Sequence, residues 1–163
     1  LIAETAPKSP LFLAAMARNA LNRTPPLGFF RTFVMEQDGK HNNSINLKRR
    51  GTAPMVDLVR IHALACGSKA QNSFQRLNDI SKTQLLATGM SDKLSYAFEF
   101  LCMSRIRHQM IDLQEDRLPD NNIEPENVAD SERHTLKDAF QVLSNAQKFL
   151  KFRYPMPAQR QGR

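Results

Sequence analysis

Residues 91–115 read SDKLSYAFEFLCMSRIRHQMIDLQE, and this stretch decides the fold. At ~100° per residue, Leu94, Ala97, Phe98 and Leu101 share one helical face. The spacing predicts the longest helix of the chain over about 92–115, opened by the Ser91 hydroxyl. A second long helix is predicted from Ser131, with Leu136, Ala139, Phe140, Leu143, Gln147 and Leu150 as its stripe, ending before Pro155. Upstream, Ser9 and Pro10 form a start signal, a hydroxyl followed by a proline whose missing N–H costs nothing there. That helix runs to about Leu21 and is apolar nearly all round (Leu11, Phe12, Leu13, Met16, Ala20), so burial on every side is expected. Pro25 and Pro26 prevent its continuation. Thr52 is the expected cap of a helix over about 53–66, ended by Gly67. Asn72 or Ser73 opens a shorter one through Phe74, Leu77 and Ile80, and a further turn over 83–88 is closed by Gly89.

Between the first two helices the pattern changes. Phe29 to Gln37 reads as a strand, Asp38-Gly39 suits a type I′ turn, and a weaker strand follows to Leu47. The fold class is therefore all-α, an antiparallel helical bundle with one small β-hairpin at about residues 29–47. A lone hairpin is marginal, so it must pack on the helices or on a partner domain. The expected organisation is a linker over 1–8, a helical domain over 9–154 and a disordered basic tail over 155–163.

The chain has 163 residues, of which 41% are hydrophobic and 24% charged, enough for one packed core. It begins with Leu1 rather than Met, which reads as a piece of a longer protein. No apolar run approaches the ~20 residues that span a bilayer, and nothing reads as a signal peptide. A soluble, cytoplasmic protein is expected. Cys66 and Cys102 sit in apolar helical patterns and read as free thiols, with neither a disulfide nor a zinc site implied. The net charge is +7. Part of the excess belongs to the end of the chain, at Lys148, Lys151, Arg153, Arg160 and Arg163. The rest could attract phosphate-bearing ligands. Nucleic-acid binding is disfavoured, because no aromatic platform is interleaved with the cations.

Two features could carry chemistry. Continuing the apolar face of 91–115 leads to Arg105, His108, Gln109 and Asp112, while apolar residues shift round to Ile106, Met110 and Leu113. Either the helix leaves one core and enters another with the polar run in solvent, or the polar run is the wall of a groove offering Arg105 and His108 to an anion. The second feature is Lys48-Arg49-Arg50-Gly51-Thr52, three cations ahead of a glycine and a helix start. Exposed N–H groups, the helix dipole and positive charge together suit a phosphate. It lacks the G-x-x-x-x-G-K-[ST] pattern of a P-loop. Asp57 either supports the following helix and pairs with Arg60, or orients Lys48 or a ligand hydroxyl. His62 reads as a core or semi-buried histidine. No metal-ligand spacing of histidines and no D-x-D pair on a predicted strand is present, so no metal site and no catalytic residue is expected within this stretch.

The segments SPLFLAAMARNAL, PPLGFFRTFVMEQDGKH, INLKRRGTAPMVDLVRIHAL, NSFQRLNDI, AFEFLCMSRIRHQ, PDNNIEP and LKDAFQVLSNAQKFL occur in this order over residues 9–150. In that order the chain resembles the nucleotidyltransferase substrate-binding domain of bacterial signalling proteins. The resemblance implies a helical bundle beside a catalytic nucleotidyltransferase domain similar to that of PII uridylyltransferases. It also implies a parent that commonly carries cyclic-nucleotide-binding and CBS modules. The catalytic domain would supply the metal-holding carboxylates, Mg and a nucleoside triphosphate; no cofactor is expected in this chain itself. The 48–57 stretch is also similar to the K-x-x-x-G-G-x-R-D-type segment of glutamine-metabolism nucleotidyltransferases, onto which Lys48, Gly51 and Asp57 map. Arg50 stands where a second small residue is expected, and Asn46 where Asp is frequent. The 105–109 run matches the family's long-helix motif, which brings Arg105 and His108 toward the cleft. The candidate substrate- or nucleotide-binding set is thus Lys48, Arg49, Gly51, Asp57, Arg105 and His108. The implied partners are the nucleotidyltransferase domain of the same chain and, beyond it, a homodimer mate or a PII-like acceptor; no membrane partner is expected. The competing reading is a non-catalytic dimerisation or docking module of the same kind of signalling protein.

Overall fold

The computed structural model describes residues 1–37 and 42–156. Six α-helices form among the described residues: α1 (Ile2–Thr5), α2 (Pro10–Ala20), α3 (Ala53–Ala65), α4 (Ser73–Ser81), α5 (Met90–Gln114) and α6 (Asp130–Arg153). Two short strands, β1 (Ile45–Asn46) and β2 (Asn122–Ile123), pair antiparallel. The all-α bundle with one small two-stranded element is the observed fold. The Asp38-Gly39 turn and residues 157–163 of the expected tail lie outside the described residues.

Local chemistry explains most boundaries. Pro10 occupies the first turn of α2. The Asn72 side chain accepts from the Phe74 N–H at 2.8 Å and caps α4. Asp130 and Glu132 sit in the first turn of α6, and Lys151 and Arg153 in its last, each complementing the helix dipole. Gly67, at φ 73°, takes the left-handed conformation that stops α3, where glycine carries no steric penalty.

The core joins α3, α4, α5 and α6, with Met55, Leu58, Ile61, Leu101, Phe140 and Leu143 almost wholly buried. Two expectations change here. α2 buries only one side, through Leu13, Ala14, Ala17 and Ala20, whereas Leu11 and Phe12 are exposed. Residues 1–8 are not a linker: α1 and a 3₁₀ turn over Ala6–Lys8 fold back, with Ala6 buried and Glu4 paired to Lys69 at 3.2 Å.

The two-stranded element is also built differently from a 29–47 hairpin. Phe29–Arg31 is a 3₁₀ turn, and Leu27 bridges to Phe33 in a tight loop of its own. Contacts with α6 override strand propensity in this segment. Phe33 packs edge-on to Phe140 at 6.4 Å, Lys137 lies over its ring, and Arg31 pairs with Asp138. A remnant of the hairpin survives where the Glu36 N–H donates to the Ser44 carbonyl at 2.8 Å. β1 instead places Ile45 opposite Ile123, which buries both in the core.

Candidate functional site

The chain enters α3 through an unbroken helical segment, not through a loop. Lys48–Thr52 is a π-helical turn that runs directly into α3. Pro54 has no N–H to give the carbonyl four residues back, and its ring crowds that carbonyl, so the turn ahead of it widens. The start of this segment is capped by Asn46, whose Oδ1 accepts from the Arg49 N–H at 2.8 Å. Thr52 has helical φ and ψ and makes no capping bond. The helix N-terminus expected at 51–53 therefore lies about a turn upstream, and the peptide groups around Gly51 are enclosed in the helix.

The six candidate residues separate into four locations. Lys48, Asp57 and Arg105 line one groove of about 350 Å³ between the π-turn, α3 and α5, together with Thr52, Arg60 and Cys102. Val56 and Phe98 give it an apolar floor. Arg105 donates from Nη1 to Thr52 Oγ1 at 3.4 Å, and its Nε is buried without a hydrogen-bond partner. Asp57 is held by Arg60 at 3.1 Å and Arg23 at 3.4 Å. Lys48 is exposed and has no ion-pair partner among the described residues.

Arg49 and Gly51 lie elsewhere. Arg49 pairs with Glu36. Gly51 is buried, and a Cβ there would meet Phe140 Cε1 at 3.2 Å and Leu101 Cδ1 at 3.4 Å. The small residue at 51 thus lets the π-turn settle on α5 and α6; close approach of a ligand backbone is not what it serves.

His108 also turns away from the groove. It borders a separate depression of about 560 Å³, walled by the end of α5 and the 120–127 segment. Its Nε2 lies 3.4 Å from Glu132 Oε1, within Coulomb range but not aligned for a hydrogen bond. The groups around this depression are largely committed to one another: Gln109 Nε2 donates to the Asp120 carbonyl at 3.0 Å, and Arg117 pairs with Asp112 at 2.8 Å. Ile106, Met110 and Leu113, which one of the two sequence readings sent into a second core, are exposed.

Sequence reasoning passed over Thr52, Cys102 and Phe98 as lining residues. The signal was available on α5: Phe98, Cys102 and Arg105 are seven, three and zero residues from the arginine, one side of a helix. Burial pushes the Cys102 thiol above its ordinary value, and nearby Arg105 opposes that rise. His62, expected at the core, is fully buried and shares a hydrogen bond with the Tyr154 hydroxyl at 3.2 Å. Among the described residues no group of three or more His, Cys, Asp or Glu is placed to hold a metal ion. Among the described residues no helix is long and apolar enough to cross a membrane.

The groove is a place where cations outnumber carboxylates over an apolar floor. Neither a characterised protein nor a solved structure matches the chain. A family model described as "Putative nucleotidyltransferase substrate binding domain" matches residues 10–154, from the start of α2 to the end of α6. The chain belongs to this nucleotidyltransferase substrate-binding domain family.

Proposed function

We propose that this accessory domain seats the anionic part of a nucleotide or acceptor in the Lys48–Arg105 groove and presents it to the nucleotidyltransferase domain. One observation carries the reading: Lys48 and Arg105 share a groove, and neither has a carboxylate partner among the described residues. A partly buried guanidinium with an unsatisfied Nε is costly unless a ligand supplies charge and acceptors. The Val56–Phe98 floor suits the apolar face of a base or an aliphatic portion. Asp57, already countered by Arg23 and Arg60, is free to orient a ligand hydroxyl without cancelling Lys48 or Arg105. In this reading the catalytic domain supplies the metal-holding carboxylates, Mg and the nucleoside triphosphate. Uridylyltransferase-like transfer, a PII-like acceptor and a bacterial signalling context follow from the family resemblance alone.

The test has two parts. A nucleoside triphosphate titrated into this chain should shift the amide resonances of residues 48, 52, 102 and 105, with an affinity that falls as salt is added. In the parent protein, Lys48→Ala and Arg105→Ala should each raise KM by roughly tenfold, the ~1.4 kcal/mol of one charge-assisted contact. Unchanged KM for every substrate in both variants would remove the assignment. The docking-module reading is favoured by a different observation, the apolar outer face of α5, and it predicts a parent without transfer activity.

A further inference from the structure

We infer that Phe74 is the stacking platform for the base of a nucleotide, which lies along the groove with its phosphates at the Lys48–Arg105 end; the inference rests on the anion-seating reading above. The groove has a direction. Arg105 meets Thr52 at 3.4 Å toward one end, and Arg60 and Phe98 line the other. Arg105 and Phe98 are both on α5, about 10 Å apart along its axis. Two observations bring α4 to the Arg60–Phe98 end. Phe74, in the first turn of α4, packs on Phe98 with ring centroids 5.1 Å apart and a 38° tilt. Arg76, on the same helix, lies within reach of the Arg60 charge, which adds to the lowering that burial imposes on the Arg76 guanidinium.

Phe74 is 41% exposed although its ring packs on a residue of the groove floor. Contact with Phe98 restricts the ring, and what stays open is an aromatic surface already in place at the end of the groove. A planar ring from a ligand covers such a surface by stacking, whichever base it belongs to. The order of groups along the groove then follows the order of groups in a nucleotide. Lys48 and Arg105 offer charge to phosphates at one end. Asp57 stands between Thr52 and Arg60 on the α3 wall, where the hydroxyls of a ribose would reach it. Phe98 and Phe74 receive the base at the other end. A small phosphate or carboxylate acceptor would occupy the cationic end alone and leave Phe74 in water. The aromatic pair at the opposite end therefore favours the nucleotide over such an acceptor as the ligand of this groove.

Calorimetric titration of this chain with ATP and with inorganic tripolyphosphate, which has the phosphates without the base, tests the assignment. Phe74→Leu keeps an apolar cover over Phe98 and removes the π-face. It should weaken ATP binding by about tenfold, the lower part of the range for losing one base–aromatic stack. Phe74→Trp should bind ATP at least as well as the native chain. Tripolyphosphate affinity should be the same in all three proteins, which also shows that the groove stays folded. The Phe74 ring protons should shift in NMR spectra on adding ATP and stay in place with tripolyphosphate. ATP affinity undiminished in Phe74→Leu overturns the platform and leaves the anion seat standing. Equal losses for ATP and tripolyphosphate in Phe74→Leu make the ring a structural prop and overturn the platform as well. If neither ligand binds the native chain, the anion seat and the platform fall together.

Discussion

Ser104 Oγ donates to Glu132 Oε1 at 2.5 Å, joining the middle of α5 to the first turn of α6. The same carboxylate lies 3.4 Å from His108 Nε2 and 3.6 Å from Arg107 Nη1. One acidic residue thus gathers three polar residues of α5 and holds His108 away from the Lys48–Arg105 groove.

Glu132→Ala should therefore destabilise the domain. It strands the Ser104 hydroxyl, which is 1% exposed, and an unsatisfied buried hydroxyl costs about 1–3 kcal/mol. Urea denaturation should show that loss. Ser104→Ala together with Glu132→Ala should lose clearly less than the two singles combined, because removing both partners leaves nothing stranded. Full additivity would contradict the hydrogen bond.

Gly51→Val should lower stability by about 1–3 kcal/mol, since the added methyls press on Phe140 and Leu101 in a filled core. Thermal melting measures it. A variant as stable as the parent sequence, yet defective in ligand binding, would return Gly51 to the phosphate-approach role expected from its neighbourhood.

Stability should fall as the pH is lowered from about 6.5 to about 4. Burial lowers the His62 pKa from 6.5 to about 4, with a smaller contribution from Arg153. The unfolded chain then binds a proton in this window and the folded chain does not, so folding loses ground as pH falls. The full effect is on the order of 3 kcal/mol. His62→Gln should flatten the profile between those two values in chemical denaturation; an unaltered slope would contradict the burial argument.

Cys66 and Cys102 should both react slowly with thiol reagents at neutral pH, because burial raises the two thiols. Only Cys102 lines the groove. A bound nucleoside triphosphate should slow alkylation at Cys102 several-fold and leave Cys66 unchanged, by mass spectrometry of each site. Equal protection of both would point to a global effect and not to occupancy of the groove.

Local pattern made much of this domain legible. The 3.6-residue period located α5 and α6 within a residue or two, Pro10 and Asn72 marked the starts of α2 and α4, and Gly67 marked the end of α3. These features depend on neighbours three or four positions away, which a sequence displays directly. Lys48, Asp57 and Arg105 were visible as candidates because their residue types suit an anion and they stand near helix faces.

What the sequence could not display was pairing at a distance. Ile45 takes Ile123 as its partner rather than a residue of its own hairpin, because that register buries both side chains and Phe33 is already engaged by Phe140. Thr52, read as a cap, became the acceptor for an arginine on another helix, because Pro54 widened the preceding turn into the helix instead of ending it. The second half of α5 turned its polar side inward and its apolar side out. Its partners there are Thr52, the Asp120 carbonyl and Glu132, all polar and none of them local. Periodicity shows that a helix has two faces; only the packed chain decides which one meets the protein.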